Sequence, residues 1–202
     1  MNALSAEVIN FTAMLSFEND IQQCMAALQQ GGTILYPTDT IWGIGADATD
    51  SDAVEKIIAL KNRPENKSFV VLLPDARALS KYVTTLDKNI DQFLSTLIKP
   101  TTVIYEHATG LAANVMAENG SVAIRICKDE FCKHLIKRFG KPIVSTSANI
   151  SGQPAPALFS EIITPIIKGV DYVVKYRQTE TIAAKASSIV QLKRGEIIVI
   201  RP

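Results

Sequence analysis

The sequence predicts one α/β domain over residues 1–202, with helices flanking a mixed sheet. Three observations lead there. Helical and strand-like apolar stretches interleave along the whole chain, the pattern of helices layered on a sheet. The last two apolar runs are separated only by "KRG", Lys193 to Gly195, a hairpin signal that argues against an all-parallel sheet. No repeat, low-complexity tract or Gly/Ser linker divides the 202 residues, of which 47% are hydrophobic. A chain of that length can bury about 70% of its unfolded surface in one core.

The elements follow in order. "FENDIQQCMAALQQGG" reads as a helix with Ile21, Met25 and Leu28 on one stripe, closed by Gly31-Gly32. "TILYP" is a buried strand that stops at Pro37, which has no N–H for a ladder. "TDSDAVEKIIALKNRP" is the clearest helix, with Asp50 or Ser51 as N-cap and Pro64 as its stop. "SFVVLLP" is a strand, "DKNIDQFLSTLIKP" helical, "TTVIYE" and "GSVAIRI" strands, and "EFCKHLIKRFG" a helix ending at Gly140. "KPIVST" is a strand, and "LFSEIITPIIKG" a helix that Pro165 kinks or shortens. "VDYVV", "SSIVQL" and "EIIVIRP" complete the sheet.

Composition removes several classes of function. A formal charge of +1 does not suit a protein that coats nucleic acid non-specifically, although it leaves room for a local basic cleft. Cys24, Cys127 and Cys132 are widely spaced, and with His134 they match no zinc pattern; no metal site is expected, and reduced thiols suit a cytoplasmic protein. "MNALSAEVINF" lacks a basic leader segment, and the longest apolar runs, such as Phe69 to Leu73, are too short to cross a bilayer.

Four places break local rules. On the helix after Asp50, the apolar stripe of Val54, Ile57 and Ile58 runs into Lys61, with Arg63 just past the helix end. Such cations can snorkel or complement the helix dipole, or they can meet an anion. "YPTDTIWGIGA" places Thr38, Asp39 and Thr40 after a core strand. Its Gly43-x-Gly45-x-x-Ala48 is no dinucleotide fingerprint, because Pro-Thr-Asp-Thr separates strand from glycines. In "PIVSTSANISG", Ser145, Ser147 and Asn149 are spaced two apart and share a face if the strand continues. Small hydrogen-bonding groups in a row can grip phosphate or carboxylate oxygens, or simply form a turn or cap. Finally, Ser187-Ser188 precede the hairpin that carries Arg201. All four fall at strand ends or the junctions beside them, where open α/β folds bind ligands. Arg125, inside the apolar "VAIRI", must face a cavity, a carboxylate or an anionic ligand, because a buried unpaired guanidinium is too costly.

"YPTDTIWGIGA", "KNRP", "STSANISG" and "SSIVQL…IIVIRP", in this order, resemble the YrdC family from about Gly32 to Arg201. Lys61-x-Arg63 with Ser147-Ala148-Asn149 is similar to that family's K-x-R and S-x-N signature. The resemblance implies a twisted mixed sheet around a large concave, positively lined cavity. It implies a nucleotidyltransferase that makes threonylcarbamoyl-adenylate and pyrophosphate from L-threonine, bicarbonate (or CO2) and ATP, with Mg2+ accompanying ATP. Separate transferase machinery then moves the threonylcarbamoyl group to tRNA. Lys61 and Arg63 are thereby expected in catalysis. With Ser145, Ser147, Asn149, Ser187 and Arg201 they are expected to bind ATP, while Thr38, Thr40 and Arg125 hold threonine.

The chain departs from the family pattern at Leu72, where many members have histidine, and at Cys127 and Ala186, where proline is usual. Lys99-Pro100-Thr101 stands where Pro-Gly-Pro is often found. An alternative from another class is a non-catalytic module that binds double-stranded RNA through phosphates on a concave basic surface. Against it stands the absence of any extended Lys/Arg tract.

Overall fold

The computed structural model describes residues 3–64, 69–193 and 196–202, with side chains from Ser16 onward. Ser68 of the predicted strand "SFVVLLP" and Arg194-Gly195 of the hairpin turn lie outside the described residues. The strands are β1 (Ile34–Tyr36), β2 (Gly43–Asp47), β3 (Val70–Leu73), β4 (Thr101–Tyr105), β5 (Val122–Ile126), β6 (Ile143–Ser147), β7 (Tyr172–Val173), β8 (Ser188–Lys193) and β9 (Glu196–Arg201). They form one mixed sheet in the order β7-β1-β2-β6-β3-β5-β4-β8-β9. The β1·β7, β3·β5 and β4·β8 pairs are parallel and the other five are antiparallel.

The helices are α1 (Ala3–Gln29), α2 (Ser51–Lys61), α3 (Ile90–Thr96), α4 (Glu130–Phe139) and α5 (Thr164–Lys168). α1 begins well before the Phe17 that opened the predicted helix. Its Phe17, Ile21, Cys24 and Leu28 are buried, and Phe17 meets the Phe131 ring of α4 edge-on at 5.6 Å. Buried Asp20 accepts the Tyr172 hydroxyl at 2.6 Å and the Tyr176 N–H at 2.8 Å, fixing α1 to the strand that flanks β1.

Two helices differ from the expectation for local reasons. The stretch around Pro165 is not one kinked helix but a 3-10 turn, Phe159–Glu161, followed by α5 with Pro165 in its first turn. Proline fits there because that N–H has no helical partner anyway. α3 covers only the middle of "DKNIDQFLSTLIKP". The end of α2 is set by Asn62 in the left-handed region (φ 47°), whose N–H and that of Arg63 turn back to Ala59 and Ile58 carbonyls. Pro64 lies beyond that cap, not at it.

β2 was not among the predicted strands, yet it sits near the middle of the β1–β6 half of the sheet. Its two glycines permit close approach. A Cβ on Gly45 would lie 2.7 Å from Tyr36 Cε1, and one on Gly43 would lie 2.8 Å from Ser145 Oγ.

Register builds the functional face, since directly opposed residues point the same way. Tyr36, Gly43 and Ser147 form one row. Ile34, Gly45, Ser145, Val70 and Ala123 form the next. Ile143, Leu72 and Arg125 form a third, and Ile189 and Arg201 oppose each other at the far edge. The sheet order also forces a crossing. β7 and β8 lie near opposite edges, so the chain between Val174 and Ser187 traverses the sheet.

Candidate active site

A cavity of about 260 Å³ opens on this face. Its walls come from the Thr40–Gly43 turn, Arg63 after α2, Arg125 on β5, Ser145 to Ser147 on β6, and Ser187 with Arg201 at β8–β9. Most of the predicted site residues therefore meet in one place. Three guanidiniums face it, and no carboxylate lies among the described lining residues. Its electrostatic preference is for an anion.

Each cation is held differently. Arg63 stacks over the Phe69 ring, 4.5 Å from its centroid, and burial lowers its pKa while a guanidinium stays charged. Arg125 is buried and lies 3.1 Å from Asp39, an ionic contact without the alignment of a hydrogen bond. Its Nη2 also donates to Thr40 Oγ1 at 3.3 Å. Arg201 donates through Nε and Nη2 to the Ser187 carbonyl at 3.1 and 2.6 Å. The Ser187 hydroxyl is tied in turn to Thr102 Oγ1 at 2.8 Å.

Lys61, Asn149 and Thr38 lie just behind the walls. Lys61 is 1% exposed. Its Nζ donates to the Ser147 and Asn149 carbonyls, both at 2.5 Å, and to Asn149 Oδ1 at 3.2 Å. The Ser147 hydroxyl donates to the same Oδ1, and Asn149 Nδ2 donates to the Gln153 carbonyl at 2.6 Å. The polar row after "PIV" thus wraps a buried ammonium, and its geometry presents Ser147 to the cavity. Thr38 plays the same part for Thr40. Its Oγ1 lies 2.9 Å from Thr40 Oγ1, accepts the Thr40 N–H at 3.0 Å and donates to the Ile41 carbonyl at 2.9 Å.

Several supports were not legible in the sequence. Arg177 bonds the Thr38 carbonyl at 3.2 Å, Asp129 Oδ2 at 3.0 Å and Glu180 Oε1 at 2.7 Å, clamping the Thr38–Thr40 turn. Burial works against its charge, but Glu180 and Asp129 outweigh that and raise its pKa. Burial pushes the Asp129 carboxyl up, partly offset by the Cys132 N–H and Arg177. Asp129 also caps α4 by accepting Cys132 N–H at 2.9 Å. Thr102, Val70 and Ile189 were likewise unmarked. The loop carrying Arg177 reads as solvated chain, and its left-handed φ of 67° is visible only in the backbone.

No group of three or more His, Cys, Asp or Glu placed to hold a metal occurs among the described residues. No helix among them is long and apolar enough to cross a membrane. The family model named for Sua5, YciO and YrdC, described as telomere recombination, matches residues 26–202. A threonylcarbamoyl-AMP synthase of Pseudoalteromonas translucida is 32% identical over 164 residues, 79% of this chain and 87% of the relative. One from Hahella chejuensis is 36% identical over 141 residues, covering 69% and 77%. P. abyssi Sua5 complexed with L-threonine superposes with a TM-score of 0.80 at 21% identity over 90% of this chain, which spans 53% of that longer one. E. coli YciO gives 0.77 at 22% identity over 91% and 88%. At those identities the structures establish the shared fold.

Proposed function

Because this chain belongs to the Sua5/YciO/YrdC family, we propose that it is a threonylcarbamoyl-AMP synthase, a nucleotidyltransferase that joins L-threonine, bicarbonate (or CO2) and ATP. The observation that carries this reading is the convergence of Arg63, Arg125 and Arg201 on one cavity edged by Thr40, Ser145, Ser147 and Ser187. The relatives of 30–36% identity named as synthases support it.

The amine of threonine, after losing a proton, attacks the one-carbon unit to form a carbamate, with release of water when bicarbonate is the donor. A carbamate oxygen then attacks the α-phosphorus and pyrophosphate leaves. Both steps gather anions, so catalysis is positioning and charge neutralisation. Arg63 and Arg201 take the phosphates, with Ser145 and Ser187 donating hydrogen bonds and Ser147 joining them when its hydroxyl turns from Asn149 Oδ1 toward the ligand. Lys61 and Asn149 serve that group by fixing the Ser147 turn. Arg125, partly neutralised by Asp39, keeps donors for the threonine carboxylate beside Thr40, which Thr38 orients. Mg2+ carried with ATP would be held by the phosphates themselves, since the described lining offers hydroxyls and guanidiniums but no carboxylate. The cavity, about 260 Å³, is smaller than the roughly 300–1,000 Å³ typical of ligand sites, so the adenosine extends through its mouth. The product then passes to transferase machinery acting on tRNA.

The reading of the chain as an RNA-binding module is not favoured. The cations converge in a recess rather than along an extended surface. Pyrophosphate release from ATP with bicarbonate, measured with and without L-threonine, tests the proposal alongside Lys61→Ala and Asn149→Ala. Threonine-dependent release that both substitutions lower at least tenfold, in folded protein, is the expected result. Release indifferent to threonine overturns it.

A further inference from the structure

Behind the Thr38–Thr40 turn stands a guanidinium that the reaction above does not use. Arg177 is half-buried and does not line the anion cavity. It lies on the segment that crosses the sheet between Val174 and Ser187. The backbone at its base is fixed, because the Lys175 and Tyr176 N–H groups donate to buried Asp20 at 3.1 and 2.8 Å. Arg177 then bends at a φ of 67°, a conformation that residues with a Cβ seldom adopt. Its Nη1 donates to the Thr38 carbonyl at 3.2 Å and to Asp129 Oδ2 at 3.0 Å, while Nε takes Glu180 Oε1 at 2.7 Å.

The Thr38 carbonyl is the point where this clamp meets the site. Pro37 and Asp39 on either side are held by other groups. The Cys132 thiol donates to the Pro37 carbonyl at 3.3 Å, and the Lys128 N–H to Asp39 Oδ2 at 3.4 Å. From Thr38 the path to Arg125 is short. Thr38 Oγ1 lies 2.9 Å from Thr40 Oγ1, which accepts Arg125 Nη2 at 3.3 Å, and Asp39 lies 3.1 Å from Arg125 Nε. The crossing segment also lies directly on the turn. A gap of about 10 Å³ remains between them, bordered by Thr38, Thr40, Trp42, Arg177 and Ile182, no more than a single water needs.

We infer that Arg177 is a positioning residue for the threonine side of the cavity. It locks the Thr38–Thr40 turn against the crossing segment, and through Thr40 and Asp39 it sets where Arg125 presents its donors. Arg63 and Arg201 are held by Phe69 and the Ser187 carbonyl instead, so the effect falls on one substrate. The role in threonine binding rests on the synthase reading; the ordering of the turn does not.

Arg177→Gly tests it, because glycine accepts a φ of 67° and the substitution removes the guanidinium while keeping the bend. Two readouts are taken on protein shown to be folded by its urea midpoint. Acrylamide quenching of Trp42, the sole tryptophan and a wall of the same gap, reports the order of the turn. Steady-state pyrophosphate release reports the KM for each substrate. Quenching should rise, and the KM for L-threonine should rise about tenfold while kcat and the KM for ATP change less than about twofold. Arg177→Lys keeps a charge beside Asp129 without the planar fork. It should show the same split at about threefold, and it decides the question if the glycine variant does not fold. Unchanged quenching, an unchanged threonine KM, or an equal loss for both substrates overturns the inference. If the parent shows no threonine-dependent release while the substitution still loosens Trp42, the synthase reading falls with the threonine role and the ordering of the turn stands.

Discussion

An ammonium that is 1% exposed survives only inside a shell of oxygens, and at Lys61 that shell is the turn that presents Ser147. Lys61→Met keeps the stem and deletes the charge. It leaves the Ser147 and Asn149 carbonyls without their buried donor and should cost about 1–3 kcal/mol for each acceptor left unsatisfied, seen as a lower urea midpoint. Asp39→Ala leaves the buried Arg125 guanidinium without its carboxylate. It should be destabilising by a similar order and should raise the KM for threonine more than that for ATP. Asp129 makes a pH prediction. Burial raises its carboxyl pKa above the ordinary 3.8, so the native state binds that proton more tightly than the unfolded chain. Its contribution is fully present below pH 3.8 and is lost as pH rises through the raised value. The difference between wild-type and Asp129→Asn stability curves should fall across that window; a flat difference contradicts it. The K-x-R and S-x-N positions could be picked from sequence because polar side chains interrupted apolar patterns. The Arg177–Asp129 clamp could not, since its residues are 48 positions apart and each looks like ordinary surface.

Among the elements, β2 best shows where sequence pattern and structure part. "GIGAD" carries weak strand propensity, and glycine ordinarily weakens a strand. Its pairing with both β1 and β6 makes it a strand nonetheless. What reads as turn chemistry is the removal of two side chains to admit Tyr36 and Ser145. Gly45→Ala should therefore be an overpacking substitution costing about 1–3 kcal/mol, because its Cβ would also meet Ile143 Cγ2 and the Val144 carbonyl at 3.0 Å. α2 is the opposite case. Its pattern, cap and stripe were all legible, and Asp50 accepts the Asp52 and Ala53 N–H groups at 3.0 and 3.2 Å as a cap should. Asp50→Ala should lower stability by about 1 kcal/mol, readable as a melting shift without loss of the anion cavity.

At the scale of the molecule, the predicted α/β architecture holds because alternating apolar runs dictate layers. The order of strands was not readable, because β7 and β9 are too short or too exposed to advertise their neighbours. β9 is apolar yet open, with Ile197 to Ile200 each 45–60% exposed. Such an edge favours association, so Ile198→Lys should reduce self-association at high protein concentration, measured by sedimentation. The three cysteines are buried, and burial raises the thiol pKa of Cys24 and Cys132. A thiol-specific reagent at pH 8 should leave these two unmodified in native protein and titrate three per chain in denaturant.

The order of the strands carries a consequence for synthesis in the cell. The cavity draws on residues from Thr40 to Arg201, and β1 is flanked by a strand made 136 residues after its last residue, Tyr36 to Tyr172. No truncated nascent chain contains the anion site, however well its early helices form. At roughly 5–20 residues per second, the ribosome spends on the order of ten seconds or more between making the first wall and the last. The central ladders can close once β6 is made, but both edges of the sheet wait longer, for β7, β8 and β9. A ribosome that stalls late therefore releases a chain with most of the mass of the enzyme and none of its chemistry.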